Sequence, residues 1–190
     1  MNLLTFRKPT RIYICDACEH GLGGFSTEGK AWFLIIPENL RGRAHINFLE
    51  FIVQVVGIWI DIEDGNIQAL DCILAMGDNP PSMGWLRRTN FRENDESNTE
   101  WIAKQKVARQ LARLILNSMS CLYRQWFKGV DNVVADSLSR DALFLPQDTH
   151  KSFLHQFINL HRIRCQIISG LSKFRTKFIP SLYLCCSCFP

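Results

Sequence analysis

The chain has 190 residues, 47% of them hydrophobic, which is enough to bury one core. It shows no secretory leader and no apolar run of the roughly 20 residues that a membrane span needs, so we expect an intracellular protein, not secreted and not in a membrane. Its eight cysteines are then expected to be reduced thiols. The net charge of +4 is uneven, because residues 151–190 carry six basic and no acidic residues, which predicts a folded body with a basic tail.

The N-terminal third predicts a small antiparallel meander followed by a buried helix. Three strands are expected over residues 11–16, 24–26 and 30–36. The glycines at 21, 23 and 24 predict the hairpin turn that joins the first two strands. Residues 46–61 predict a helix that is apolar except for one thin polar stripe, formed by Asn47, Glu50, Gln54 and Asp61.

The rest of the body alternates between strands and helices. An apolar run at 69–76 predicts a strand buried on both faces of the sheet. Asn79 and Pro80 predict the start of a helix through Trp85, and Ser97 with Glu100 predicts a capping box. The remaining expected elements are a helix to about residue 117, a strand over 121–127 and a short helix over 131–140. This order predicts an α/β fold with a mixed sheet.

Four acidic residues stand where solubility does not explain them. Asp16 ends the first strand, Glu50 lies on the apolar helix, Asp78 follows the fourth strand, and Asp136 lies on the last helix. Each alone has an ordinary explanation as a turn cap, an ion-pair partner or a first-turn acid. Four that converge predict a site for hard cations such as Mg²⁺, because a carboxylate on an apolar element costs several kcal/mol unless it is paired or bound to a cation.

These acids lie in segments that resemble the ribonuclease H domain that follows reverse transcriptase in retrotransposon polyproteins. The matching segments are CDACEHGLGG, INFLEF, MGDNPPSMGWL and DNVVADSLSRD, within roughly residues 10–145. The resemblance implies a ribonuclease H-like α/β fold, a five-stranded mixed sheet flanked by helices, in which strands 1 and 4 are parallel neighbours. It also implies that the catalytic residues and metal ligands are Asp16, Glu50, Asp78 and Asp136, holding two Mg²⁺, or Mn²⁺.

The same resemblance implies an activity and partners. The expected reaction is hydrolysis of the RNA strand of RNA·DNA hybrids, and the expected partners are the hybrid and an upstream reverse transcriptase domain. The chain then divides into a short extension (1–9), a ribonuclease H-like domain (10–145) and a basic, Cys-containing tail (146–190). No polymerase precedes residue 10, so we expect a polyprotein fragment or a decayed copy. The chain departs from the family pattern at Cys18, where a small hydroxyl residue is common, and in a histidine-free loop before the last helix.

Several polar and basic side chains are candidates for contact with nucleic acid. On the helix that ends near residue 117, three of the basic positions share one stripe. Such a stripe is more typical of a solvated face than of a ridge that contacts phosphates, and both interpretations stay open. The candidate nucleic-acid-binding residues are Asn79, Arg87, Arg88, Lys104, Lys106, Arg109 and Arg113.

Three alternatives stay open. A four-cysteine zinc site is formally possible from Cys15, Cys18, Cys185 and Cys188, although its halves lie far apart in the sequence. The second alternative is a related four-carboxylate 3′–5′ exonuclease. Enzymes of that type have a D-x-E pattern in strand 1, which this chain lacks. The third is a non-catalytic relic that still binds hybrids or serves a structural role, although all four acids are present.

Overall fold

A computed structural model describes residues 7–28, 31–36, 38, 41–89, 91 and 99–140. The predicted tail, Ser97 of the predicted capping box, and Cys185 with Cys188 lie outside the described residues. The division into an extension, a domain and a tail therefore stays a prediction.

The described strands form one mixed sheet. The strands are β1 (Arg11–Ala17), β2 (Gly21–Ser26), β3 (Ala31–Ile35), β4 (Cys72–Gly77) and β5 (Cys121–Trp126). They lie in the order β3-β2-β1-β4-β5. The pairs β3·β2 and β2·β1 are antiparallel, whereas β1·β4 and β4·β5 are parallel. The expected five-stranded mixed sheet, with strands 1 and 4 as parallel neighbours, is confirmed.

Helices flank this sheet. They are α1 (Ile46–Glu63), α2 (Pro80–Trp85), α3 (Thr99–Asn117) and α4 (Val133–Arg140), and a 3₁₀ turn at Gly129–Asp131 precedes α4. Helix α1 lies against β1 and β2 and also contacts α2 and α3. Helix α4 lies against β1, β2 and β3. No helix among the described residues combines the length and the apolarity that crossing a membrane requires.

Helix α1 is the centre of the core. Every residue from Phe48 to Trp59 is buried, as expected for a helix that is apolar almost all round. The sheet covers one side of this helix and helices α2 and α3 cover much of the rest. Glu50 lies inside this buried stretch, in the second turn, so the core holds its carboxylate at a defined position.

Two sequence-based expectations about local structure were wrong. Gly21, Gly23 and Gly24 do not form the hairpin turn but lie within β2, and the turn comes earlier, at residues 18–20. Strand β4 begins at Cys72 instead of residue 69, because the chain turns at Gln68–Asp71 with Leu70 at a φ of 72°. Apolar character alone did not reveal this left-handed residue.

Candidate metal centre

Three of the four predicted ligands meet at one edge of the sheet. Asp16 lies near the end of β1 and Asp78 follows the end of β4, and the ends of parallel neighbouring strands lie side by side. Glu50 reaches the same place from α1. One oxygen from each of the three carboxylates lies within 4.8 Å of the others. Three oxygen donors this close suit a hard divalent cation.

Glu50 shows that these residues fit a cation. Its side chain is only 4% exposed, and one oxygen, Oε1, accepts a hydrogen bond of 3.2 Å from the backbone N–H of Ala17. The other oxygen, Oε2, is buried without a hydrogen-bond partner among the described residues. Burial, together with the charges of Asp16 and Asp78, raises the pKa of Glu50 to about 9. A cation at this point would satisfy the buried oxygen and relieve the repulsion.

Asp16 is held by a side chain from α4. Ser139 donates its hydroxyl to Oδ2 of Asp16 at 2.6 Å, and the carboxylate is 6% exposed. Burial is the largest influence on the pKa of Asp16 and raises it to about 6, while the Ser139 hydrogen bond opposes the rise. The nearby charges of Asp136 and Asp78 also contribute to this raised pKa. Both core carboxylates therefore bind protons more tightly than ordinary acids.

The segment that carries Asp78 is fixed from two sides. The indole N–H of Trp126 donates to the backbone carbonyl of Asp78 at 2.8 Å. Gly129 approaches so closely that a Cβ there would lie 2.9 Å from Oδ2 of Asp78. Sequence reasoning missed both residues, because neither contact has a local signal.

Asn79 has two structural contacts. Its Oδ1 accepts from the backbone N–H of Ser82 at 3.0 Å, which confirms it as the N-cap of α2. Its Nδ2 donates to Oδ1 of Asn47 at 2.8 Å, which ties the start of α2 to the start of α1. Its proposed contact with nucleic acid stays a prediction.

Asp136 stands apart from the three-carboxylate group. Its Oδ1 accepts two hydrogen bonds from Arg140 one turn later, from Nε at 2.9 Å and from Nη2 at 2.6 Å. Its charge nevertheless contributes to the raised pKa of Asp16. Asp136 therefore lies close enough to act on the centre electrostatically, and its role as a ligand stays a prediction.

The predicted nucleic-acid contacts fall into two groups. The side chains of Arg87, Arg88, Lys106, Arg109 and Arg113 are exposed. Lys104 instead binds Glu100 at 2.8 Å, and its Nζ lies 4.2 Å from the centroid of the Trp85 ring. Glu100 also accepts from the backbone N–H of His45, which joins α3 to the start of α1. Lys104 thus has a structural role that sequence reasoning missed.

The two N-terminal cysteines point to different surroundings. Cys15 is fully buried beside Gly24 of β2, and burial raises the pKa of its thiol well above the ordinary value. Cys18 lies past the end of β1 and donates to the backbone carbonyl of Ser139 at 3.2 Å. Within the described ranges, the only group of three or more potential metal ligands is Asp16, Glu50 and Asp78.

Comparison with known proteins supports the architecture. No family model matches the sequence, and the search of curated proteins gives no match. Among solved structures, the chain is similar to RNase H1 from the halophilic archaeon Halobacterium salinarum NRC-1, with a TM-score of 0.50. The alignment covers 70% of this chain and 95% of that chain at 18% sequence identity.

The chain has a ribonuclease H-like fold. Its mixed five-stranded sheet and flanking helices match that architecture, and at 18% identity the likeness concerns the fold alone. Within this ribonuclease H-like fold, the three acids lie where the ends of β1 and β4 meet the second turn of α1.

Proposed function

We propose that the chain is a divalent-metal-dependent ribonuclease H that cleaves the RNA strand of RNA·DNA hybrids within a retroelement polyprotein. The observation that carries the proposal is the convergence of Asp16, Glu50 and Asp78, whose oxygens lie within 4.8 Å of one another, on a ribonuclease H-like fold. The archaeal protein with the similar structure is an RNase H1, whose name states the same activity. The four sequence segments that resemble retroelement ribonucleases H support the polyprotein context.

Each acid has a defined part in this proposal. Glu50 supplies a buried oxygen at the back of the centre, and Asp16 and Asp78 supply oxygens from the two strand ends. Asp136 is the fourth ligand in this proposal, because its charge acts on Asp16 and its side chain is 43% exposed instead of being fixed in the core. Two Mg²⁺, or Mn²⁺, when bound there, would activate the attacking water and stabilise the leaving oxygen of the phosphodiester.

Exposed cations can hold the hybrid over this centre. Arg87 and Arg88 follow α2, whose first turn begins beside Asp78, and the exposed stripe on α3 adds further positive charge. Contacts of these side chains to phosphates would position a duplex without reading its sequence. Asn79 is the polar candidate next to the centre, where 2′-hydroxyl contacts could distinguish RNA from DNA.

The test is cleavage of a labelled RNA·DNA hybrid by the full chain and by Asp78→Asn. Loss of a residue that orients a metal ligand typically costs roughly 10- to 100-fold in activity. Asp78→Asn removes a ligand itself without changing the volume of the side chain, so we expect a larger fall in the cleavage rate. Thermal unfolding should show an intact fold, since the three crowded carboxylates repel one another without metal and the substitution removes one of these charges. The matched control is Asp64→Asn, because Asp64 is an exposed acid at the end of α1. This variant should cleave the hybrid at the parent rate. Equal rates for parent and Asp78→Asn would refute the metal-centre assignment.

The same assay distinguishes the alternative functions. A hybrid with a closed circular RNA strand has no RNA end, so an endonuclease cuts it and an exonuclease does not. Binding of the hybrid without cleavage in Mg²⁺ or Mn²⁺ would identify a non-catalytic relic. Stoichiometric zinc in the purified protein would revive the four-cysteine alternative.

A further inference from the structure

Ser139 of α4 touches the carboxylate group of the centre directly. Its side chain is 1% exposed, and its hydroxyl donates to Oδ2 of Asp16 at 2.6 Å. The same hydroxyl lies 2.9 Å from the backbone carbonyl of Asp136. A serine hydroxyl carries one proton, and the shorter contact to a carboxylate is the stronger one. The proton therefore belongs on the bond to Asp16.

The glycines of β2 make this contact possible. A Cβ at Gly21 would lie 2.3 Å from the backbone oxygen of Ser139, and a Cβ at Gly23 would lie 2.2 Å from its backbone nitrogen. Any side chain at these positions would push α4 away from the sheet. Gly23 also pairs with Asp16 across the β1·β2 ladder. The segment that was expected to form a turn thus provides a flat surface on which α4 brings Ser139 to Asp16.

Ser139 is itself fixed in place. Its carbonyl accepts a hydrogen bond of 3.2 Å from the thiol of Cys18, just beyond the end of β1. Both its backbone and its hydroxyl therefore contact the segment that carries Asp16. A buried donor held this firmly restricts rotation of the carboxylate, which is how outer-shell partners orient metal ligands.

We propose that Ser139 is a positioning residue that holds the Asp16 carboxylate in the orientation in which it binds the divalent cation. This inference rests on the proposed function, because it assigns Ser139 a part in the same centre. Ser139 does not touch the cation or the substrate; it acts through Asp16. Its hydroxyl should therefore affect metal affinity more than it affects the rate at saturating metal.

The experiment compares Ser139→Ala with Ser137→Ala in the full chain. Ser137 lies on the same helix, and its hydroxyl donates to the carbonyl of Val133 at 2.8 Å, within the helix. Binding of Mg²⁺ and Mn²⁺ is measured by calorimetry, and cleavage is measured over a metal titration. For Ser139→Ala we expect roughly tenfold weaker metal binding and an equal rise in the metal concentration for half-maximal cleavage. Ser137→Ala should match the parent in both.

A second variant keeps the test decisive if Ser139→Ala folds poorly. Ser139→Cys fills similar space with a weaker donor, so its metal affinity should lie between those of the parent and the alanine variant. Parent-like affinity in every folded Ser139 variant would overturn the positioning role. A purely structural role would lower the unfolding temperature and leave metal affinity unchanged, which would also overturn it. A parent chain that binds neither metal would instead refute the proposed function.

Discussion

The chemistry of the centre follows from the burial of two acids. Asp16 and Glu50 are 6% and 4% exposed, so water cannot stabilise their charges, and their pKa values rise to about 6 and about 9. The charge of Asp16 also raises the pKa of Glu50 by repulsion. Bound metal would reverse this balance, because a divalent cation favours the deprotonated form of every ligand. Metal binding and proton release are therefore coupled at this centre.

The raised pKa values predict how stability depends on pH. Unfolded carboxyl groups lose their protons near pH 4, whereas folded Asp16 and Glu50 hold theirs until about pH 6 and about pH 9. In that window the folded state binds more protons, so stability contributed by these groups falls as the pH rises. We expect the unfolding temperature in a chelator to fall from pH 5 to pH 9, and saturating Mg²⁺ to reduce that fall.

Glu50→Gln is the control for this pH dependence. The amide has a similar shape and does not titrate, so the fall in unfolding temperature between pH 5 and pH 9 should be smaller than in the parent. An unchanged slope in this variant would show that other groups cause the dependence.

At the scale of elements, α1 is the part that the sequence predicted best. Its polar stripe was visible from spacing alone, and each stripe residue has a partner or a role in the structure. Asn47 accepts from Asn79, Gln54 donates to the carbonyl of Met76 at 3.0 Å, and Asp61 accepts from the hydroxyl of Tyr13. Glu50 joins the acidic group. Helical periodicity is a local property, so the sequence is enough to place these side chains on one face.

The placement of α4 could not be predicted in the same way. Its contact with Asp16 joins residues that are 123 positions apart in the sequence. This contact is possible because Gly21 and Gly23 have no side chains. In the sequence, however, glycines in a short segment are just as typical of a turn. Only the pairing of β2 with β1 shows which face these glycines present to a helix.

This packing gives a prediction for Gly23→Ala. The added methyl group would meet the backbone nitrogen of Ser139 at 2.2 Å and the backbone carbon of Leu138 at 2.5 Å, and backbone atoms cannot rotate away. We expect a loss of about 1–3 kcal/mol in the free energy of unfolding, together with weaker metal binding as Ser139 shifts. Urea unfolding and calorimetry measure the two effects.

Gly84→Ala is the matched control. A Cβ at Gly84 would have its nearest neighbour, Nη1 of Arg124, at 3.9 Å, so there is room for it. In a helix, this change is expected to stabilise by about 0.5–1 kcal/mol. Gly23→Ala with parent stability would show that α4 does not depend on close approach to β2.

At the scale of the whole molecule, charge is separated along the chain. Residues 1–150 have 16 basic and 18 acidic residues, whereas residues 151–190 have six basic and none acidic. The described residues also concentrate acids at the proposed centre, where these acids would repel a phosphate backbone in the absence of metal. Long-range attraction for nucleic acid is therefore expected to come largely from the tail.

The contribution of the tail to this attraction can be measured in the full chain. Replacing the basic residues of the tail by Gln should weaken hybrid binding and reduce its salt dependence. The slope of log affinity against log salt concentration should become shallower by at most about 0.9 for each phosphate that the tail no longer neutralises. The changed residues are Lys151, Arg162, Arg164, Lys173, Arg175 and Lys177. The control exchanges Lys and Arg at the same positions, which keeps the charge and should keep the slope. Hybrid affinity is measured across a salt series, and a neutralised chain with the parent's affinity and slope would show that the tail does not contact the substrate.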